Sequence, residues 1–432
     1  MKILFSNPPW WDGHMCGVRA GSRWPHTFRA SLCSPDNFRF GEYLPFPFFM
    51  AYAASYARRE LGCEVVLRDS IALRESYRSY LDFLAEHKPD YIVIETATPS
   101  WEHDKEIIGA IHSQLPDAGI ILTGTISEAE GGQIIEQYGL RAIVRGEYEK
   151  GVVDVVRGKR GIIEHQLLTS DEMNAAPFPD FPAETWDHYC DSNPVGQVFP
   201  HAQIWTSRGC PFRCLFCVWP ATMTGNDPDG KGTRKARYYS SGYMEAYLSE
   251  LVSKHPFRSI YFDDDTFNLS DKHTLEMCAV MRKIGLPWSA MCRADTSSPE
   301  VWREMKASGC FGVKLGFESG SQWVIDHIVN KRLDLKAAAE TARYLREIGM
   351  TVHGTFTVGL PGETAAQKRE TLDFIKALPL TSYQLSGCAE IDGTPLANLH
   401  ARGHLDAYDG ATLDGYTAES DGAKKARKSN DG

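Results

Sequence analysis

The sequence predicts a two-domain α/β protein: a doubly wound, Rossmann-like sheet over residues 1–150, then a partial (β/α)6 barrel of the TIM type over 201–395. Three observations carry this. Short Val-, Ile- and Leu-rich runs alternate with stretches of helical period, as strands and crossover helices of parallel sheets do. The alternation lapses over 151–200, where Pro177, Pro179, Pro182, Pro194 and Pro200 mark a connector. It then resumes for six further strand–helix units. At 432 residues the chain is too long for one ordinary core.

In the first domain the strand candidates are Lys2–Ser6, Glu64–Arg68, Tyr91–Thr96, Gly119–Leu122 and Ala142–Arg145. Helical spacing falls on Phe48–Leu61 and on Trp101–Leu115, where Ile107, Ile108, Ile111 and Leu115 share a face. A long insertion separates the first strand from the first helix. It holds Asp12-Gly-His14-Met-Cys-Gly17 and the stretch Arg19 to Phe28 with Arg23, Trp24 and His26. Ligands bind at the carboxyl ends of strands in such sheets, where this loop begins. The Arg19–Arg23 stretch is a candidate clamp for an anionic or sugar-like ligand, or a polar loop at the domain interface.

In the second domain the strand candidates are Ala202–Thr206, Ser259–Phe262, Trp288–Cys292, Gly312–Phe317, Thr351–Val358 and Ser382–Leu385. Helices are expected at Gly242–Lys254, Asp271–Ile284, Pro299–Ser308, Leu335–Ile348 and Ala365–Leu378. Residues 396–432 lose periodicity and read as a mobile C-terminal tail.

Composition narrows function. Hydrophobic residues are 43% and charged residues 24%, ordinary for a globular protein. A net charge of −10 argues against nucleic acid or an anionic membrane as partner. No stretch approaches the ~20 apolar residues of a membrane span, and the first residues read as a strand, so a cytoplasmic protein is expected. The eleven cysteines are odd in number and do not read as a disulfide framework. Eight are scattered and read mostly as small buried hydrophobes.

The other three crowd into Ser207-Arg-Gly-Cys210-Pro-Phe-Arg-Cys214-Leu-Phe-Cys217-Val-Trp-Pro220, just after the first barrel strand. Barrel chemistry sits at the carboxyl ends of strands. Three thiolates on one loop select zinc, soft copper or iron–sulfur. Structural zinc asks for a second ligand pair far along the chain, and none is present. A cluster held by three cysteines leaves one iron open, which suits catalysis.

CxxxCxxC after the first barrel strand, with Phe216 before the last cysteine, resembles the radical S-adenosylmethionine (SAM) superfamily. The resemblance implies a [4Fe–4S] cluster on Cys210, Cys214 and Cys217 whose open iron chelates SAM. One electron, from an external donor of flavodoxin or ferredoxin type, would cleave SAM to a 5′-deoxyadenosyl radical that activates a substrate C–H bond. Later strand ends extend it. Asp264 and Asp265 lie in Tyr261-Phe-Asp-Asp-Asp-Thr-Phe267, and Arg293 in Met291-Cys-Arg-Ala-Asp295. Gly316-Phe-Glu318-Ser319-Gly320 looks like the SAM-contacting segment, and Gly359 belongs to a glycine-containing fifth strand that admits the adenine. Solvated turns, caps and structural salt bridges are the bland alternatives for each.

The domain ahead of the barrel resembles the cobalamin-binding class of this superfamily, over nearly the whole chain from Asn7-Pro8-Pro9 through Gly146-Glu147 to Gly393-Thr394-Pro395. Many members are methyltransferases in which cobalamin carries the methyl group. His14 fits DxHxxG, the pattern that supplies a histidine to cobalt; a plain loop histidine fits as well. Thr96-Ala-Thr98 stands for Ser-x-Leu and Gly124-Thr125 for Gly-Gly, so the partner patterns are altered. The expectation is cobalamin-dependent methyl transfer to a small molecule. A cobalamin-free dehydratase or rearrangement on a sugar-like substrate is the alternative. A non-catalytic iron–sulfur electron carrier is the third, and the SAM motifs argue against it. His353 on the fifth strand, Tyr383 and Gln384 on the sixth are candidate substrate-facing groups, with His353 as a proton donor; barrel-wall packing is the competing role.

Overall fold

The computed structural model describes residues 1–12, 15–16, 28–29, 43–125, 131–191, 198–388, 390–401 and 416–419. The first sheet holds β1 (Lys2–Asn7), β2 (Glu64–Asp69), β3 (Tyr91–Thr96), β4 (Gly119–Gly124), β5 (Ala142–Val144) and β6 (Gly161–Ile163). All pairings are parallel, in the order β6-β5-β4-β3-β1-β2. The order reverses beside β1, and the crevice there is where a doubly wound sheet binds its ligand. Leu4, Ile92, Ile94, Ile120 and Leu122 are buried on one face and Ile3, Phe5, Val93 and Ile121 on the other. Helices cover both faces, which is why these strands read as continuous apolar runs. The helices include α1 (Phe48–Leu61), α2 (Tyr77–His87), α3 (Trp101–Gln114), α4 (Gly131–Gln137) and α5 (Tyr148–Val156).

The second sheet is β7 (His201–Ile204), β8 (Ser259–Phe262), β9 (Trp288–Cys292), β10 (Cys310–Glu318), β11 (Thr351–Val358), β12 (Ser382–Gly387) and β13 (Tyr416–Glu419), side by side in that order. The first six are parallel, and β13 is antiparallel to β12. The helices between them are α6 (Ser241–Lys254), α7 (Asp271–Ile284), α8 (Pro299–Ala307), α9 (Leu335–Glu347) and α10 (Ala365–Ala377). Each starts on a side-chain cap, from Ser240, Ser270, Ser298, Asp334 and Thr364 in turn.

Three features depart from the expectations. β6 and a short helix, Ser170–Ala175, lie in the stretch read as an irregular connector. Residues 416–419, read as tail, pair with β12. Cys190 is disulfide-bonded, although the scattered cysteines were expected to be free. His14 and the Arg19–Arg23, Trp24 and His26 stretch lie outside the described residues.

One apolar core runs through both domains. Its seam is the start of α1. Phe48 stacks on Trp205 at 4.4 Å and Phe46 on Phe181 at 4.0 Å between ring centroids. Phe46 N donates to Gln203 Oε1 at 2.7 Å, joining the seam to β7.

Candidate active site

The cysteine loop leaves β7 and is held on every side. Gly209 adopts φ 91°, where a Cβ would stand 2.5 Å from Lys235 O, so only glycine fits there. Gly209 N donates to Asp265 Oδ2 at 2.8 Å, and Thr224 Oγ1 donates to the same oxygen at 2.9 Å. Asp264 accepts from Thr206 N (3.1 Å), Thr206 Oγ1 (2.8 Å) and Ser207 Oγ (2.5 Å). Further along, Leu215 N donates to Val329 O at 2.9 Å and Leu396 N to Leu215 O at 3.1 Å. After Cys217 the chain makes one π-helical turn, Trp219–Met223.

All three cysteines line a cavity of about 220 Å³. Cys214, Leu215 and Phe216 pack against Val324, Val329 and Leu396, which gives the loop an apolar backing. Burial pushes the Cys210 thiol up to about 11, with Asp265 adding to it. Cys214 is raised by burial, and Cys217 is raised well above its usual range by burial and by the other two sulfurs. Among the described residues no group of three His, Cys, Asp or Glu side chains closes on a single ion. Sulfurs that bind three different irons of one cube stand farther apart than the ligands of one ion, so the set fits a cluster in the shared cavity.

The rest of the cavity wall comes from successive strand ends. Glu318 closes β10 at φ 65°, a conformation costly for a non-glycine residue, beside a shift in the β10–β11 register. Its carboxylate takes Lys331 Nζ at 2.7 Å and Thr357 Oγ1 at 3.1 Å. Lys331 sits between two further left-handed residues, Asn330 (φ 57°) and Arg332 (φ 56°). Arg293 forks onto Asp295 at 2.9 and 2.8 Å and lies 3.5 Å from the Phe212 ring centroid. Gly316 and Thr355 line the same wall. The first domain supplies Pro45 to Phe49 and Glu95, so both domains enclose one space.

Phe216, Asp264, Asp265, Arg293 and Glu318 therefore converge with the three cysteines. Asp264 and Asp265 are occupied in tethering the loop, and burial raises them to about 7 and about 6. Other candidates are not brought to the cavity wall. Ser319 is buried against Thr371 Oγ1 at 3.1 Å, and Gly359 (φ 72°) donates its N–H to Glu363 Oε2 at 2.9 Å. His353 lies wholly buried in the lumen below Thr355, its Nδ1 2.7 Å from Ser382 Oγ. Burial and Lys314 hold it well below the usual histidine range, so it stays neutral. Tyr383 follows Ser382 on the strand, and alternation turns it to the opposite face.

Thr96, Thr98, Gly124 and Thr125 meet at the ends of β3 and β4. Thr98 N donates to Thr125 Oγ1 at 3.1 Å, and Gly124, at φ 93°, leaves 2.0 Å between a would-be Cβ and Thr96 O. Asp392 N, from the far end of the chain, donates to Thr98 Oγ1 at 3.1 Å. Lys331 and Glu95 were missed in the sequence. Glu95 had a signal, an acid inside the apolar run Tyr91–Thr96; Lys331 had none.

Residues 205–375 match the model of the Radical SAM superfamily. An uncharacterized methyltransferase of Pyrococcus horikoshii is 26% identical over 367 residues, 81% of this chain and 77% of that protein. The cytidylyl-2-hydroxyethylphosphonate methyltransferase of Streptomyces wedmorensis is 25% identical over 250 residues, 53% of this chain but only 44% of that longer protein. The solved structure of TsrM from Kitasatospora setae, a radical SAM methyltransferase with cobalamin and a [4Fe–4S] cluster bound, superposes with a TM-score of 0.64. It covers 91% of this chain and 73% of its own at 16% identity, a likeness of fold. Residues 205–375 thus carry the radical SAM domain of an enzyme that uses a [4Fe–4S] cluster and SAM, and the chain as a whole is folded as in TsrM.

Proposed function

We propose that this enzyme transfers a methyl group to an unreactive carbon of a small molecule, with cobalamin held by the first domain as methyl carrier. The observation that carries the reading is the shared cavity: Glu95 and the start of α1 face the three cysteines across one space. Relatives named as methyltransferases support it. When bound, the cluster supplies the electron that cleaves SAM to a 5′-deoxyadenosyl radical, and cobalamin supplies the methyl group.

The chain's own residues bind, orient and exclude water. Cys210, Cys214 and Cys217 would hold the cluster. Glu318 and Lys331 present one carboxylate and one ammonium, complements to the amino and carboxylate ends of SAM. Phe46, Phe48 and Trp205 close the cavity with packed rings and shield a reactive intermediate from water. The first domain also has room for part of a cobalamin. A cavity of about 440 Å³ opens at the carboxyl side of its sheet, walled by Trp11, Tyr77, Tyr80, His103 and Ile107. Its aromatic walls suit the planar base of a nucleotide tail.

The test is to reconstitute the protein without oxygen, add hydroxocobalamin, remove the excess and measure what is retained. One cobalamin per chain is expected. No retention by a protein that still cleaves SAM would overturn methyl transfer and favour a cobalamin-free radical reaction.

A further inference from the structure

Arg208 lies two residues before Cys210, and its side chain is 1% exposed. Its guanidinium reaches into the first domain. Nη1 is 2.8 Å from Glu149 Oε1 and 3.2 Å from Glu147 Oε1, both carboxylates being buried at the start of α5. Both contacts of Nη1 are ion pairs by distance, and neither is aligned as a hydrogen bond. Nη2 donates to Tyr239 Oη at 3.1 Å, and the cation lies over the Tyr52 ring at 4.7 Å from its centroid.

A second arginine doubles the link. Arg237 forks onto Glu147 at 2.8 and 3.0 Å, and it donates to Thr224 O at 2.8 Å. Thr224 in turn donates to Asp265, which holds Gly209 N. The two-residue strands Ser207–Arg208 and Arg237–Tyr238 also pair directly. Two acids from the first domain and two arginines from the barrel thus form a buried, charge-balanced quartet that ends on the backbone beside Cys210. Buried ion pairs are costly to build, and removing one partner leaves an uncompensated buried charge.

We infer that Arg208 is a positioning residue for the cluster loop, through which Glu147 and Glu149 of the first domain set where Cys210 stands. This rests on the reading of the three cysteines as cluster ligands. The first domain is then part of the cluster site as well as a carrier of the second cofactor.

The test uses the full chain with Glu149→Gln and, separately, Arg208→Lys. In the metal-free protein, the peptide containing residues 207–217 should take up deuterium faster in both variants than in wild type. After anaerobic reconstitution, the paramagnetic resonance spectrum of the reduced cluster should change. SAM cleavage should fall roughly 10- to 100-fold, the usual cost of a small misplacement, while iron content stays near wild type. If Arg208→Lys fails to fold, Glu149→Gln decides. A folded Glu149→Gln with wild-type exchange, spectrum and cleavage rate overturns the inference. A wild-type protein that binds no cluster would instead overturn the proposed function.

Discussion

Gly316→Ala separates SAM binding from stability. Gly316 lines the cavity on β10 with a backbone that alanine accepts, since its φ is not positive. An added Cβ would stand 2.7 Å from Glu318 Oε1 and 2.7 Å from Lys331 Nζ, with Thr355 Oγ1 at 3.6 Å. Both clashing atoms are tips of flexible side chains, and each must retreat by roughly 0.7 Å to reach ordinary contact. Such overpacking costs about 1–2 kcal/mol, a shift of a few degrees in melting temperature for a chain of this size. The Glu318–Lys331 pair, now held at 2.7 Å, is displaced from the wall. Losing one aligned charged hydrogen bond to SAM costs about 1.5–3 kcal/mol, or roughly 10- to 150-fold in Kd. Equilibrium dialysis of labelled SAM against the reconstituted protein, with thermal melts alongside, measures both. Wild-type SAM affinity in a folded variant would refute the placement of this pair at the SAM site.

Gly124→Ala should behave in the opposite way: its Cβ would meet the backbone oxygen of Thr96 at 2.0 Å with φ at 93°, and a loss of more than about 3 kcal/mol is expected in urea melts. Cys214→Ala should lose the cluster and SAM cleavage together while far-ultraviolet circular dichroism stays native; a variant that keeps its iron and its activity removes Cys214 from the ligand set. His201 is buried, and that burial lowers it to about 4. The unfolded chain takes up this proton near pH 6.5 and the native chain does not. Its contribution is therefore complete above pH 6.5 and is lost as pH falls toward 4, by up to about 3 kcal/mol. The stability difference between wild type and His201→Asn should shrink between pH 7 and pH 4.5, and an unchanged difference counts against a buried neutral His201.

Much of this was legible in the sequence because parallel strands buried on both faces read as apolar runs, and because three cysteines on one loop have few physical explanations. β6 was hidden by the prolines further along the connector, which begin only at Pro177. The inward or outward aim of Tyr383 depends on register with β11, fixed by the pairing of His353 with Ser382 and invisible along a single strand. Asp264 and Asp265 read as cofactor groups since adjacent acids are costly to bury, yet their compensation is the N–H and hydroxyl groups of the cysteine loop itself. Lys331 and the Arg208–Glu147–Glu149–Arg237 quartet join residues far apart in sequence, and nothing local marks such partners.

The most direct measurement is the paramagnetic resonance spectrum of the reduced, reconstituted protein before and after SAM is added, with 5′-deoxyadenosine measured in the same samples. A [4Fe–4S] signal that SAM alters is expected, with 5′-deoxyadenosine formed in wild type and absent from Cys214→Ala. A full cluster whose signal SAM leaves unchanged, with no cleavage product, would contradict it.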